Sequence, residues 1–276
     1  MKYLDKNIFA LENLINNSSS YDLQKNELTE LINFMLENIG NTNSYIRDTL
    51  IYAGFCELII NEKISLEQTS SILKTCIDEQ HLYLNIHTLE KNDDVFVRSF
   101  SALVIDLILI KDIELRRLPN DLIIEALEKG GNYLNFETDY RGYVSEKGWA
   151  HSVAHGSDLL TRVILHPLSD EVVSISHCLN TIKKCLSTDY AYIDDEDERI
   201  LAVIDALFVK GLSDEDLKVW LMNLHDVEEN DELKKYRIQW NIKKFTLTLY
   251  TYLLRIPTCT ETSDWIYTTY ISNKIE

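Results

Sequence analysis

Apolar residues recur along this chain at steps of three and four. Phe96, Phe100, Leu103, Leu107 and Ile110 trace one face of an α-helix, and Ile200, Val203, Ile204, Leu207 and Phe208 do so after an acidic start. The same period predicts helices near 4–16, 21–39, 44–60, 66–85, 119–134, 146–166, 168–187, 213–224, 232–255 and 261–272. Gly40, Gly130-Gly131 and Gly211 fall where apolar runs end, and Pro119 and Ser213 fall where helices open. No strand-length alternation bounded by hairpin turns stands out, and 8 Gly and 3 Pro leave little turn material. The expected fold class is all-α.

A longer period lies over the short one. SYIRDTLIYAGFCELI from Ser44, VFVRSFSALVIDLILI from Val95 and EDERILAVIDALFV from Glu196 each set an arginine ahead of an apolar helix, at Arg47, Arg98 and Arg199. The spacing is about 50 residues and then twice that, and GWAHSVAHGSDLL from Gly148 fills the gap, a scale near that of HEAT and armadillo repeats. Asp93–Arg98 also resembles the D-x-x-V-R opening of a HEAT second helix. The expectation is helical hairpins stacked as a HEAT/armadillo-like α-α superhelix, with a compact irregular bundle as the alternative. The polar stretches Asn16–Ser20 and Asn41–Ser44 are short enough for helix connections, so one domain over 1–276 is expected.

Charge narrows the partners. With 27 basic and 45 acidic residues the net charge is −18, which repels phosphate backbones and anionic membranes, so neither nucleic acid nor membrane is expected as a partner. Acidic and amide residues run through MKYLDKNIFALENLINN, unlike a signal peptide, and no apolar run approaches a membrane span. Five cysteines, odd in number and without a C-x-x-C pair, fit a reduced, cytoplasmic protein that uses them as small apolar side chains. The acidic run Asp194–Glu198 reads as a helix start, and Asp214–Asp216 as another; loose divalent binding by the former is the alternative. The aromatic C-terminal third, with Tyr236, Trp240, Tyr250, Tyr252, Trp265, Tyr267 and Tyr270, reads as helix packing.

One segment differs from the rest. DYRGYVSEKGWAHSVAHGSDLLTR, residues 139–162, gathers two histidines, two tyrosines, a tryptophan and three glycines. On a helix running from Glu146, Trp149, Val153, Leu160 and Ile164 share one face, and His151, His155, Asp158 and Arg162 form a polar stripe opposite. His151 and His155 one turn apart, with Asp158 one turn on, have the spacing to hold a divalent metal; no other cofactor is expected. Ser152 stands where a zincin would carry its glutamate base. The alternatives are a solvated face with an Asp158–Arg162 pair, or the wall of a polar pocket. Ahead of the helix, Arg141 could hold a carboxylate or phosphate; an Asp139–Arg141 turn pair with Ser145 as the helix cap serves the same residues structurally.

The string Asp139-Tyr-Arg-Gly-Tyr143 followed by K-G-W-A-H-S-V-A-H at 147–155 and Asp158 resembles the hallmark of a bacterial family known only as a domain of unknown function. The resemblance implies that this segment is the family's functional centre and supplies no activity. The candidate ligand-binding set is therefore Asp139, Arg141, Tyr143, Trp149, His151, His155, Asp158 and Arg162. No phosphate loop, G-x-S-x-G elbow or paired zinc cysteines are present. The expected function is a binding or scaffolding module for a peptide, a protein or a small polar ligand. The alternative is a hydrolase that uses His151 or His155 as general base or metal ligand.

Overall fold

The computed structural model describes residues 2–16, 24–88 and 90–272. The connection at 17–20 and the first residues, 21–23, of an expected helix lie outside them. Twelve α-helices carry the described chain: α1 (Lys2–Asn16), α2 (Lys25–Glu37), α3 (Ala53–Ile60), α4 (Leu66–Cys76), α5 (Asp94–Leu115), α6 (Asn120–Phe136), α7 (Ser152–Leu165), α8 (Ile175–Leu186), α9 (Glu196–Val209), α10 (Asp214–Leu224), α11 (Glu232–Leu253) and α12 (Thr260–Ile266). A π-helical stretch, Tyr45–Tyr52, runs directly into α3, and a second, Tyr267–Ile271, follows α12. The only strands among the described residues are β1 (Tyr143–Val144) and β2 (Gly148–Trp149), paired antiparallel. The fold class is all-α. None of the described helices is long and apolar enough to cross a membrane.

Contacts divide the chain into two compact units, residues 1–172 and 173–276. In the first, α5 packs against α3, α4, α6 and α7, and α6 lies along α7. All of Val95 to Leu109 except Val97 is buried, so this helix is enclosed on every side rather than along the single face its period suggests. The glycine pair expected to end a helix instead lies inside α6. Gly130 meets Leu159 and Val163 of α7 at Cβ-contact distance, and a Cβ on Gly156 of α7 would run into Leu134 of α6. The missing side chains let two helices approach closely, which is a packing role.

Arg47 and Arg98 are buried, as two members of one repeat would be, but Arg199 is exposed on α9 in the second unit. The arginine therefore does a common job only in the first unit. Two further expectations change. Helix 66–85 stops at Cys76 and continues as turns, and the helix placed from Glu146 begins only at Ser152, with His151 as its cap at φ +47°. Three left-handed residues in succession along 146–151, Glu146, Gly148 and His151, are incompatible with a helix there. Ser145 is consequently not a helix cap, and Trp149 is not part of the apolar helix face.

In the second unit α11 packs on α9 and α12, and α10 on α12. Asn241 takes the Tyr192 N–H and donates to the Tyr190 carbonyl, both at 2.9 Å, fixing the entry to α9. The acidic start of α9 combines the helix-dipole role with specific pairing: Asp197 is buried against Lys244 (2.9 Å) and Thr248, and burial pushes the Glu196 carboxyl up. Asp214 serves a different helix, accepting the Glu261 and Thr262 backbone N–H groups that open α12. The cysteines Cys56, Cys76, Cys178, Cys185 and Cys259 are free thiols.

His225 closes α10 and lies against Trp265 and Tyr270, with Tyr270 Oη 2.5 Å from its Nδ1 and Thr246 Oγ1 3.0 Å from its Nε2. Burial lowers its pKa to about 4. Between that value and its ordinary 6.5 the unfolded chain binds a proton that the folded chain refuses, so stability falls as pH drops through this window. The expected loss by pH 4 is on the order of 1–3 kcal/mol. Thermal melts from pH 7 to 4 should show it, and His225→Asn should flatten that part of the profile.

Candidate functional site

Four of the sequence-predicted residues form a row of rings. Tyr143 meets Trp149 edge-on at 4.9 Å between centroids, and Trp149 lies over His151 at 4.2 Å. His151 faces His155 at 5.7 Å, and His155 meets Phe100 of α5 edge-on at 5.1 Å. The row runs from solvent to core: Tyr143 and Trp149 are exposed, His151 is half-buried, and His155 and Phe100 are buried. The hairpin β1–β2 supplies the outer rings, the cap of α7 the third, and the first turn of α7 the fourth.

Short-range chemistry folds this hairpin. Gly148 takes φ +79° and sits so close to Ser44 that a Cβ would stand 2.8 Å from the serine Cβ. Only glycine meets both demands. The Gly142 carbonyl accepts the Ala150 N–H at 2.8 Å, closing the loop base. Lys147 places its ammonium on both Asp93 oxygens, at 2.7 and 2.8 Å.

The main anchor comes from much earlier in the chain. Arg47 is fully buried and donates through Nη2 to the Lys147 and Trp149 carbonyls at 2.9 and 3.3 Å, and through Nη1 to the Asn41 carbonyl at 2.7 Å. Its Nε is 2.8 Å from Asp48. Its guanidinium also lies over the rings of Phe96 and Phe100, 4.3 and 4.8 Å from their centroids. Burial pulls its pKa down and pushes Asp48 up, and their mutual attraction offsets part of each shift.

The remaining predicted residues separate into two groups. Asp139 and Arg141 form the turn pair: Arg141 Nε lies 2.8 and 3.0 Å from the two Asp139 oxygens, and Nη2 also reaches the Asn92 carbonyl. Arg141 is thus engaged in holding the loop to the start of α5. Glu137, just before, takes a bidentate pair from Arg98 at 2.8 Å on each arm and a third bond from the Tyr133 hydroxyl. Ser152 donates to the Asp139 carbonyl. Further along α7, Arg162 pairs with Asp106 of α5 at 3.0 Å.

Sequence reasoning missed the residues that complete this second patch. The Tyr52 phenol is raised by burial first, then by its bond to Cys56 and by the charges of Asp106 and Asp158. Both carboxylates therefore act electrostatically on the Tyr52 phenol, and Asp106 also pairs with Arg162. Burial also raises the Cys56 thiol, so it is no activated nucleophile. A signal existed in Asp106, a carboxylate inside an otherwise apolar run. No group of three or more His, Cys, Asp or Glu among the described residues is placed to hold a metal ion. Of the expected triplet, His151 and His155 lie 5.7 Å apart between ring centroids, and His151 stands outside the helix whose period suggested it.

Removing the anchor should loosen the hairpin before the rest. Arg47→Met leaves two loop carbonyls and Asp48 without their buried cation, at an expected cost of about 3 kcal/mol in urea unfolding. Hydrogen exchange at the Ala150 and His151 amides should rise more than in α5.

Neither the curated proteins nor the solved structures contain a match to the chain. One family model matches, over residues 82–254, a span that takes in α5 to α11 and the whole ring-bearing loop but not α1–α4. That span exceeds half of the sequence, and the chain belongs to the family described as Protein of unknown function (DUF2785).

Proposed function

We propose that this protein is a helical-repeat binding module whose first unit presents the 139–162 segment as a recognition site for a peptide or small polar ligand. In this reading α2, α4 and α6 form one layer of a HEAT-like stack and α3, α5 and α7 the other, in keeping with the contacts α2–α4, α4–α6, α3–α5 and α5–α7. The observation that carries the proposal is the exposed Tyr143–Trp149 pair, held rigid by Arg47, Lys147 and the Asp139–Arg141–Asn92 bonds. Exposed aromatic rings cost solvation, and a hairpin fixed at several points has already lost the freedom that binding would otherwise remove. His151 adds a hydrogen-bonding ring at the edge, beside Trp149.

A thermal-shift panel of short peptides, amino acids, dicarboxylates and sugars tests the reading. A true ligand at about 100 times its Kd adds about 2.7 kcal/mol of stability, a shift of several degrees. The expected result is at least one compound that stabilises the wild type and fails on Trp149→Ser and Tyr143→Ser, both of which should melt as the wild type does without ligand. Metal analysis runs in parallel: one ion per chain, lost in both His151→Ala and His155→Ala, would replace the binding module with a metal-dependent enzyme.

A further inference from the structure

Helix α11 has two apolar faces. Ile238, Ile242, Phe245, Leu249 and Leu253 point into the second unit and are buried. Leu233, Tyr236, Trp240, Leu247 and Leu254 lie on the opposite side and are exposed, Tyr236 at 62 % and Trp240 at 43 %. At 100° per residue these five fall within about 40° of the Trp240 direction, so they form one straight stripe. Surface leucines scattered singly need no explanation, but an aligned row that includes two large aromatics does.

The spacing identifies the kind of neighbour. Residues 233, 240, 247 and 254 repeat every seven, with Tyr236, Lys243 and Tyr250 three places after the first three: the a and d positions of a coiled-coil seam. Charge identifies the neighbour itself. The helix carries Lys234, Lys235, Arg237, Lys243 and Lys244 against Glu232 alone, a local 5 − 1 = +4 in a chain of net charge −18. Immediately before it stands the acidic run Asp226–Asp231, offset in part by Lys234, which pairs with Glu229 at 2.7 Å, and just after it Arg255. Two such helices packed antiparallel bring the acidic run of each to Arg255 of the other; packed parallel, they set acidic run against acidic run.

We infer that the outer face of α11 binds a second copy of this chain, antiparallel across a two-fold axis. A seam of alternating a and d layers then sets Leu233 against Tyr250 of the second copy, Tyr236 against its Leu247, and Trp240 against its Lys243. The central layer, occurring twice by symmetry, pairs an indole face with an ammonium. A lysine at a seam position also fixes the register, because any slip buries it against an aliphatic side chain. The contact is a single helix about 33 Å long, at the small end of stable interfaces, so the dimer dissociates in the micromolar range.

Sedimentation equilibrium of the full chain, from low to several hundred micromolar, decides the matter. The wild type should pass from monomer to dimer, and Trp240→Glu and Leu247→Glu should stay monomeric with unchanged circular dichroism, since both positions are exposed. Arg255→Glu should weaken the dimer about tenfold, and adding Glu228→Lys and Glu232→Lys should restore it. A wild type monomeric throughout overturns the inference, as does a dimer that survives both glutamate substitutions or an open-ended oligomer. Pelleting of a monomeric wild type with phosphatidylserine vesicles would overturn it in favour of a membrane surface.

Discussion

A single buried guanidinium holds together the ring-bearing loop of the first unit. Arg47 is fully buried, and an arginine cannot shed its charge, so every group it touches must contribute to keeping it there. Three backbone carbonyls, one carboxylate and two phenyl faces do so. The constraint works in both directions. The hairpin carbonyls of Lys147 and Trp149 are directed inward at the cation, which in turn directs the Tyr143 and Trp149 rings outward.

Arg98 on α5 repeats the device with different partners, the Glu137 carboxylate and the Leu84 carbonyl. Its bidentate pair with Glu137 fixes the chain as it leaves α6, and Asp139 and Arg141 fix it two residues on. The loop between α6 and α7 is thus held at its start, middle and end by charged groups, each neutralised locally. The position of the exposed rings depends on these pairs.

The helices of this fold were legible because amphipathic periodicity is a local property, and the starts of α6 and α10 and the end of α9 fell within a few residues of Pro119, Ser213 and Gly211. The stripe on α7 was only partly legible. Its two histidines lie side by side, but a helical wheel begun at Glu146 could not show that Glu146, Gly148 and His151 adopt left-handed backbone, which turns a helix face into a hairpin and a cap. Arg141 looked available to a ligand because its partner on Asn92 is a backbone carbonyl, and carbonyls leave no mark in a sequence. The glycine pair in α6 misled for a related reason: what it accommodates is a helix about 30 residues further on. Arg47 and Arg98 were recognisable as equivalents, yet nothing local distinguishes them from the exposed Arg199.

The Arg47 clamp also sets an order of assembly. Its bond to the Lys147 carbonyl joins positions 100 residues apart, so the hairpin cannot be seated until the chain between them has closed a long loop. Such distant pairings form late and slow the folding of the regions they complete. During synthesis the arginine emerges well before its carbonyl partners, and α5, with the phenyl rings that cover the cation, emerges in between. The cation would thus shelter first against Phe96 and Phe100 and receive the hairpin last, so that the exposed rings come into position only on a foundation already built.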